Sequence, residues 1–371
     1  MTTRVSSEGF VDAATAAGFG PWIGVPCSYL RPFIDYVIDR DDLSYVAATN
    51  EGEALAIAAG SWIGGRLPVV MLQNSGLGNL VNPLASLSYP FRAPALLIIT
   101  LRGEPGVPDE PQHQLMGRAT GALLAALEVP YEWFPESDAA VADALQRALA
   151  HSEHTGRPSA LILRKDRVTP YTPRATASPR HAPSRREALA AVAGAIGPDT
   201  VVVATTGFTG REWFEVADRD RNLYLVGSMG CAPSVALGIA QESHAPIVVL
   251  DGDGAALMRL EAWASIGHHR PPRFVHVVLD NEAYDSTGAQ RTISGSVDFP
   301  GIARAVGYAT AQAVSTVEAL ATTMLAASDQ PGPHLIHLRI ATGAGVAAAR
   351  PSIAPEAVAR RLRRSLQEAQ G

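Results

Sequence analysis

The chain has 371 residues, of which 47% are hydrophobic and 18% charged, so it has enough apolar side chains for well-buried cores and is not disordered. Its formal net charge of −6 disfavours nucleic acid as a partner, because a phosphate-binding surface normally shows as a basic excess. No apolar run reaches the ~18–20 residues that span a bilayer, and the N-terminus does not have the pattern of a signal peptide. Cys27 and Cys231 are far apart and do not have the spacing of metal ligands. We therefore expect a cytoplasmic protein that makes no membrane contact.

Apolar strands alternate with alanine-rich helical stretches along the first half of the chain. Continuous apolar runs such as LPVVML and ALLIIT are typical of a parallel sheet that is covered by helices on both faces. We predict strands at residues 22–25, 43–47, 67–72, 95–100 and 159–163.

A Pro-, Ser- and Arg-rich segment, residues 169–185, predicts a linker, after which the alternation restarts. Strands are predicted at residues 200–204, 223–226, 246–250, 274–279 and 334–339. An amphipathic helix is predicted at 355–370, its arginines forming a solvated face. The sequence therefore predicts an α/β protein of two doubly wound parallel-sheet domains, residues 1–168 and 186–371, with no middle domain.

The most informative motif joins two strands of the second half. Strand 246–250 runs into DGDG at 251–254, where glycines allow close backbone approach and a following helix presents free N–H groups to an anion. Strand 274–279 is followed by an Asp-Asn pair. If these strands are adjacent and parallel, Asp253 and Asn281 lie at the sheet edge where open α/β sheets bind ligands. Carboxylate, amide, backbone carbonyl and phosphate oxygens together suit Mg²⁺.

Other interpretations of DGDG explain less. An EF-hand loop starting at Asp251 fails, because its twelfth position is Ala262 instead of glutamate. A dinucleotide-binding GxGxxG fingerprint is not present here. A glycine-rich turn with solvated aspartates remains an alternative for this motif alone, and the second strand ending at Asn281 makes it less attractive.

GDG followed after roughly 25 residues by an Asn pair resembles the thiamine diphosphate-binding motif of pyruvate-decarboxylase-like enzymes. The resemblance implies that Asp253, Asn281 and the carbonyl of Ala283 hold Mg²⁺. Asp280 replaces the first Asn of the pair, which is not a metal ligand in that family.

The same resemblance requires a glutamate in the first half. Its carboxyl group, hydrogen-bonded to the aminopyrimidine of the cofactor, promotes proton removal from the reactive carbon. Asn50-Glu51, after a strand and before an alanine-rich helix, resembles that segment and points to Glu51 as the catalytic residue. The alternative for Glu51 is a charge that complements the helix dipole. Glu53 is expected to be solvated.

The length of the chain and several stretches resemble the two-domain members of the family, the phosphonopyruvate and sulfopyruvate decarboxylases. The stretches are residues 24–28 (GVPCS), 50–54 (NEGEA), 71–87, 205–215 and 227–240, with 102–120 most like the phosphonopyruvate enzymes. The resemblance implies decarboxylation of 3-phosphonopyruvate to phosphonoacetaldehyde and CO₂ in phosphonate biosynthesis. Alternatives are a sulfopyruvate decarboxylase and a carboligase on the same cofactor.

Cofactor contacts are expected from loops at the strand ends of the second half. They are Thr206, Gly207, Gly227, Ser228, Met229, Gly252, Asp253, Gly254, Ala255, Asn281, Ala283 and Tyr284. Met229 has ordinary core packing as its alternative.

The substrate is expected to be a small anionic 2-oxo acid whose phosphonate needs fixed positive charge. Arg102, Arg118 and Arg291 are the candidates, although most arginines are surface residues. Ser28, Asn74 and Ser75 are expected to line the pocket. His113 is the candidate proton donor, because histidine titrates near neutrality; a structural or solvated histidine is the alternative.

Three positions depart from the family pattern. Cys27 stands where relatives often have Asp, and Tyr284 and Arg291 stand where some have His and Pro. In this family Glu51 and Asp253 come from different subunits, so the resemblance implies at least a homodimer.

Overall fold

Parallel strands covered by helices build both halves of the chain, as the sequence pattern predicts. The computed structural model describes residues 4–174, 182–343 and 348–369. The chain divides into two units, residues 1–177 and residues 178–371. No helix in the described ranges is long and apolar enough to cross a membrane.

The first unit is built on one parallel sheet. Its strands are β1 (Phe19–Gly24), β2 (Tyr45–Ala47), β3 (Leu67–Gln73), β4 (Leu96–Thr100), β5 (Tyr131–Trp133) and β6 (Ser159–Leu163), in the order β2-β1-β3-β4-β6-β5. Its helices are α1 (Ser7–Ala16), α2 (Arg31–Ile38), α3 (Glu51–Ile63), α4 (Leu77–Pro83), α5 (Tyr89–Phe91), α6 (Gln114–Ala126) and α7 (Val141–Thr155). The five strands predicted for this half are all present.

The second unit repeats this architecture. Its strands are β7 (Val201–Ala204), β8 (Asn222–Tyr224), β9 (Ile247–Gly252), β10 (Phe274–Asp280), β11 (Ala283–Tyr284), β12 (Gln290–Arg291), β13 (Thr310–Val314) and β14 (His334–Arg339). The parallel sheet has the order β13-β14-β10-β9-β7-β8, and β11 and β12 form a separate antiparallel pair. Its helices are α8 (Arg185–Ala195), α9 (Phe208–Ala217), α10 (Ala232–Glu242), α11 (Asp253–Met258), α12 (Glu261–His269), α13 (Phe299–Ala305), α14 (Val317–Ser328) and α15 (Pro355–Glu368).

The continuous apolar strands arise because both faces of each sheet are covered. In β7, Val201 and Val203 pack in one apolar cluster, whereas Val202 and Ala204 pack in the cluster on the opposite face. Side chains alternate along a strand, so burial on both faces requires an apolar residue at every position. The predicted doubly wound fold is therefore confirmed for both units.

The sequence pattern missed β5 and β13, two of the edge strands, and the short antiparallel pair β11–β12. In β5, Tyr131 and Trp133 are 41% and 48% exposed, and β13 has a single buried residue. β5 and β13 are covered less than the central strands and therefore lack the continuous apolar run that identifies β3, β4, β9 and β10.

Both ends of the predicted linker are ordered. Tyr171 donates a 3.1 Å hydrogen bond to Asp39, and the backbone N–H of Arg174 donates one of 2.6 Å to the same carboxylate. Ser184 caps α8 in a reciprocal capping box with Glu187. Residues 175–181 lie outside the described ranges, and the domain limits 1–168 and 186–371 stay a prediction.

The terminal helix α15 corresponds to the one predicted at 355–370, whose last residue lies outside the described part of the chain. Its arginines do not all form a solvated face, because Arg361 pairs with Asp218 at 2.6 Å and its side chain is 20% exposed. The long guanidinium reaches a carboxylate of the neighbouring helix–strand connection, which helical periodicity alone does not reveal.

Leu96→Ala is expected to lower the free energy of unfolding by about 2–5 kcal/mol, because it leaves a cavity in the apolar cluster beneath β4, an interior strand of the sheet. Leu96 is fully buried in the apolar cluster of the first unit. Leu115→Ala is the control, since Leu115 is 66% exposed in the same unit. Urea unfolding followed by circular dichroism measures both changes. Equal losses would contradict the central position of β4.

Candidate active site

The DGDG motif and the Asp-Asn pair lie at the same edge of the second sheet. β9 and β10 are parallel neighbours, with Gly252 opposite Leu279. Asp253 begins α11 directly after β9, and Asn281 follows the last residue of β10. The predicted adjacency of the two strand ends is therefore confirmed.

Asp253 is a buried carboxylate, 3% exposed. Burial, together with the charge of Asp280, raises its pKa to about 7, although Thr292 donates a 2.5 Å hydrogen bond to its Oδ2. A buried carboxylate next to a second one is costly unless a cation or a proton balances the charge. This environment fits a divalent cation.

In the part of the chain that the structure describes, the side-chain amide of the buried Asn281 is hydrogen-bonded through its oxygen only. Its Oδ1 accepts a 3.2 Å hydrogen bond from the backbone N–H of Ala283, and its Nδ2 is buried without a hydrogen-bond partner among the described residues. An amide oxygen has a second lone pair, which is available to a metal ion. The unsatisfied amide indicates that this edge is built to receive another group.

Asp280, which replaces an Asn of the family motif, is held by side chains of its own unit. It accepts hydrogen bonds from His337 at 2.9 Å and from Ser294 at 2.8 Å, and Arg339 lies 3.3 Å from it. Burial alone would raise its pKa, but these partners and the N–H of Glu282 lower it below its usual value. The substitution therefore adds a charge that the protein itself balances.

Tyr284 lies against the turn into α11. A Cβ at Gly254 would overlap the Tyr284 ring, so the close approach of the two segments requires glycine at this position. The β11–β12 pair places Arg291 opposite Ala283. The Arg291 side chain is 74% exposed and lies 3.5 Å from the carboxylate of Glu282. Its contact with substrate stays a prediction.

The remaining predicted cofactor residues follow β7 and β8 at the same edge. Thr206 donates a 3.1 Å hydrogen bond to the carbonyl of Val226, which ties the two loops together. Gly207 and Ser228 have positive φ angles of 89° and 50°. Met229 is half-buried and does not belong to the core. The loops after β8, β7, β9 and β10 thus form one continuous row, in sheet order.

No group of three His, Cys, Asp or Glu side chains that could hold a metal occurs in the part of the chain that the structure describes. The predicted set has one carboxylate, an amide oxygen and a backbone carbonyl. Such an all-oxygen set is typical of Mg²⁺ and not of zinc.

In the first unit, Glu51 is the first residue of α3 and is 5% exposed. Its Oε2 accepts a 2.7 Å hydrogen bond from Asn79, and a Cβ at Gly76 would overlap its carboxylate. Burial is costly for a charge that only complements a helix dipole, and Glu53, at the same helix end, is exposed. The exposed Glu53 accepts a 2.7 Å hydrogen bond from the backbone of Thr49.

A chain of hydrogen bonds surrounds His113, which is 8% exposed. Its Nδ1 lies 2.9 Å from Asp109, and that carboxylate also accepts two hydrogen bonds from Arg102, of 2.8 and 2.6 Å. The His113 Nε2 lies 3.3 Å from Gln73, whose Oε1 accepts from Cys27 at 3.3 Å. The guanidinium of Arg102, a candidate for the phosphonate, is thus already paired.

Burial sets the ionisation of this group. It lowers the pKa of His113 below its usual 6.5, against the raising effect of Asp109. It also raises the pKa of the Cys27 thiol. Hydrogen bonds from Arg102 and His113 overcome the effect of burial on Asp109 and hold its pKa well below the usual range. At neutral pH His113 is therefore neutral, Cys27 is a thiol and Asp109 is ionised.

Asn74 is used for structure. Its Nδ2 donates to the carbonyl of Arg102 at 2.9 Å and to Thr120 at 3.1 Å, while its Oδ1 accepts from the Arg102 N–H. The side chain thus fastens the segment after β4 to α6. Ser75 is exposed and accepts a 2.6 Å hydrogen bond from Gln73. Substrate contacts of both residues stay predictions.

The other two substrate candidates line cavities of the first unit. Arg118 is exposed and lines a cavity of about 280 Å³ with Gln114 and residues 103–109. Ser28 lines a separate cavity of about 380 Å³. No ion pair of Arg118 is found within the described ranges.

Sequence reasoning missed Gln73, Asp109, Thr292 and Ser294. Asp109 precedes His113 by four residues, a spacing that would have suggested a pair. Gln73 ends an apolar strand beside residues that were singled out. Thr292 and Ser294 gave no local signal, because they meet Asp253 only through the fold.

Comparison with known proteins identifies the family. The model of the N-terminal TPP binding domain of thiamine pyrophosphate enzymes matches residues 5–120, and that of the C-terminal TPP binding domain matches residues 205–338. A phosphonopyruvate decarboxylase of Streptomyces hygroscopicus is 42% identical, covering 97% of this chain and 93% of the relative. That of Streptomyces viridochromogenes is 41% identical over 97% and 94%. The chain belongs to the phosphonopyruvate decarboxylase family of thiamine pyrophosphate enzymes.

A sulfopyruvate decarboxylase of Methanosarcina acetivorans is more distant, 27% identical over 79% of this chain and 80% of the relative. Glu51 falls within the N-terminal domain match, whereas Asp253 and Asn281 fall within the C-terminal one. The family expected from the motifs is therefore confirmed, and with it thiamine diphosphate as the cofactor.

Gly76→Ala is expected to lower the turnover of a 2-oxo acid by about 100-fold, because a methyl group would displace the Glu51 carboxylate and a shift of ~1 Å in a catalytic group has a cost of this size. The fold should survive, since the backbone of Gly76, with φ of −80°, suits alanine. Gly78→Ala is the matched control, because nothing lies within 4 Å of the methyl group it adds. Equal turnover of the two variants, with unchanged thermal melting, would contradict this role of Gly76.

Proposed function

We propose that this chain decarboxylates 3-phosphonopyruvate to phosphonoacetaldehyde and CO₂ with thiamine diphosphate and Mg²⁺, in phosphonate biosynthesis. The observation that carries the proposal is the identity to two phosphonopyruvate decarboxylases over 97% of the chain, well above that to the sulfopyruvate enzyme. A buried glutamate on one sheet edge and a buried aspartate–asparagine pair on the other supply the groups that this chemistry requires.

Thiamine diphosphate, when bound, supplies the carbon nucleophile and the electron sink of the decarboxylation. Glu51 is proposed to bind the aminopyrimidine and to exchange a proton with it. Asn79 donates a 2.7 Å hydrogen bond that holds the Glu51 carboxylate in place. The burial of Glu51 excludes water from the proton exchange. The fixed position of this group, more than its charge, is what the fold provides.

The diphosphate end of the cofactor is proposed to lie along the loops after β7 and β9. Asp253, the Asn281 side chain and the Ala283 carbonyl would hold Mg²⁺ there. The raised pKa of Asp253 and the second lone pair of the Asn281 Oδ1 support this assignment, because both oxygens gain a partner when a cation binds. The buried Nδ2 of Asn281, which has no hydrogen-bond partner among the described residues, can donate to an anionic oxygen of the cofactor.

Conversion of a 2-oxo acid anion to an aldehyde and CO₂ consumes one proton. His113 is proposed to take up this proton and to deliver it to the carbon that loses CO₂. Its depressed pKa means that it is neutral before the reaction, so it acts first as an acceptor.

Arg118 is the favoured ligand of the phosphonate among the three candidates. The charge of Arg102 is compensated by a bidentate bond to Asp109, and Arg291 lies next to Glu282. Arg118 lines a cavity beside the Arg102–Asp109 segment and is not ion-paired among the described residues. An arginine that is not already bound to a carboxylate gives more binding energy to a dianion.

We further propose that the active site forms in a homodimer, from Glu51 of one chain and Asp253 of its partner. The two groups belong to different units, and each sheet edge carries the residues for one end of the cofactor.

Mixed dimers test this arrangement. Glu51→Gln and Asp253→Asn are each expected to lower turnover by about 10²–10⁴-fold. A mixed dimer of the two variants, purified with two different tags, has one intact site if the site joins two chains, so it should recover about half of the wild-type activity. Co-expressed, differently tagged Glu51→Gln chains are the control. An inactive mixed dimer would contradict sites between chains.

The substrate is tested by comparing kcat/KM for 3-phosphonopyruvate and sulfopyruvate, with and without thiamine diphosphate and Mg²⁺. We expect cofactor-dependent turnover and a preference of about tenfold or more for the phosphonate, which corresponds to ~1.4 kcal/mol. Faster turnover of sulfopyruvate would overturn the substrate assignment. A ligated product in place of free aldehyde would indicate a carboligase.

A further inference from the structure

Gln73 is the last residue of β3 and is half-buried. Its side chain links the thiol of Cys27 to the imidazole of His113, and the proposed reaction assigns no role to this link. Its Oε1 accepts a hydrogen bond from the Cys27 thiol, while its Nε2 lies 3.3 Å from the His113 Nε2 and donates to Ser75 at 2.6 Å. The question is which proton arrangement these contacts permit.

The contacts of Asp109 determine which nitrogen of His113 carries the proton. This carboxylate accepts hydrogen bonds from Arg102 and from the backbone N–H groups of Gly103 and Glu110, each at 2.6–2.8 Å. An ionised carboxylate only accepts, so the Nδ1 of His113 must be the donor at 2.9 Å. A neutral imidazole then has its lone pair on Nε2.

The contact with Cys27 determines the orientation of the Gln73 side-chain amide. The buried thiol donates to Oε1 of Gln73, and the Thr100 hydroxyl lies 3.4 Å from the same sulfur. The Gln73 amide then turns its two N–H groups to Ser75 and His113. An N–H group facing the Nε2 of His113 is compatible with a lone pair there and incompatible with a second N–H.

We propose that Gln73 and Asp109 are positioning residues that hold His113 as the neutral Nδ1–H tautomer, with a basic Nε2 in the resting enzyme. For His113 to become an imidazolium, the Gln73 amide has to rotate, so that Oε1 accepts from the Nε2–H and the amide N–H turns to the Cys27 sulfur. The rotation couples the protonation of His113 to Cys27. The catalytic consequence, uptake of a proton by His113 during turnover, rests on the proposed function.

Other charged groups around His113 do not decide its Nε2. Arg102, Asp109 and Glu110 act on the ring, with Arg102 opposing its protonation and the two acids favouring it. The guanidinium carbon of Arg102 lies over the ring of Tyr29, 5.0 Å from the centroid of that ring. The Nε2 of His113 contacts the Gln73 amide at 3.3 Å, so a change at residue 73 alters that nitrogen directly.

The test is nitrogen-15 NMR of the full-length chain with labelled histidine, loaded with thiamine diphosphate and Mg²⁺ and without substrate. His113→Gln identifies its signals among the ten histidines. In the wild type we expect a protonated Nδ1 and an unprotonated Nε2, titrating below pH 6.5. An Nε2–H tautomer in the wild type would overturn the proposal without any variant at residue 73.

Gln73→Glu places a carboxylate at the Nε2 of His113 and is expected to raise the titration midpoint by about 1 pH unit or more, because an adjacent opposite charge stabilises the imidazolium. The acidic limb of kcat/KM should move in the same direction. Gln146→Glu is the matched control: it adds the same charge on an exposed side chain of α7 in the same unit, which does not line the Arg118 cavity, and solvent screens it to a shift of ~0.3 units or less. Equal shifts in the two variants would contradict a specific role of Gln73.

The NMR readout needs no turnover. Failure of the substrate assay with the expected tautomer would therefore reject the proposed function alone. The expected turnover with an Nε2–H tautomer would reject only the role of Gln73 and Asp109.

Discussion

Carboxylates buried at the carboxyl edges of the two parallel sheets are the constraint on which the rest of the site depends. Four carboxylates are each less than a tenth exposed: Glu51 and Asp109 in the first unit, and Asp253 and Asp280 in the second. Burying such groups without partners costs several kcal/mol, so each must be compensated locally. The way in which each is compensated separates structural groups from those that await a ligand.

Asp109 and Asp280 are compensated by the protein itself. Asp109 binds Arg102 and His113, and Asp280 binds His337 and Arg339. In both cases the hydrogen bonds outweigh burial and keep the pKa low. These groups orient their neighbours: Asp109 fixes a histidine, and Asp280 fixes the loop that carries Asn281.

Asp253 and Asn281 are compensated incompletely. The pKa of Asp253 is raised by burial and by the second carboxylate, and the Asn281 amide nitrogen is buried with no hydrogen-bond partner among the described residues. A site with too little positive charge and an unsatisfied amide is less stable alone than with a cation and a polar ligand. Rigid strands of the parallel sheet hold these groups in place before the ligand arrives, which reduces the cost of binding.

Local sequence patterns determined most of the strands, the two doubly wound units, the DGDG motif with its Asp-Asn pair and the position of Glu51, because periodicity and strand–turn contexts are set by residues close in the chain. The tertiary structure alone decided which charges are already used. Arg102 pairs with Asp109, and Asn74 fastens the segment after β4 across 28 residues. Gln73 meets His113 and Cys27 over 40 and 46 residues. Hydrogen bonds depend on distances of a few ångströms between residues that the sequence separates, so only the packed fold specifies them.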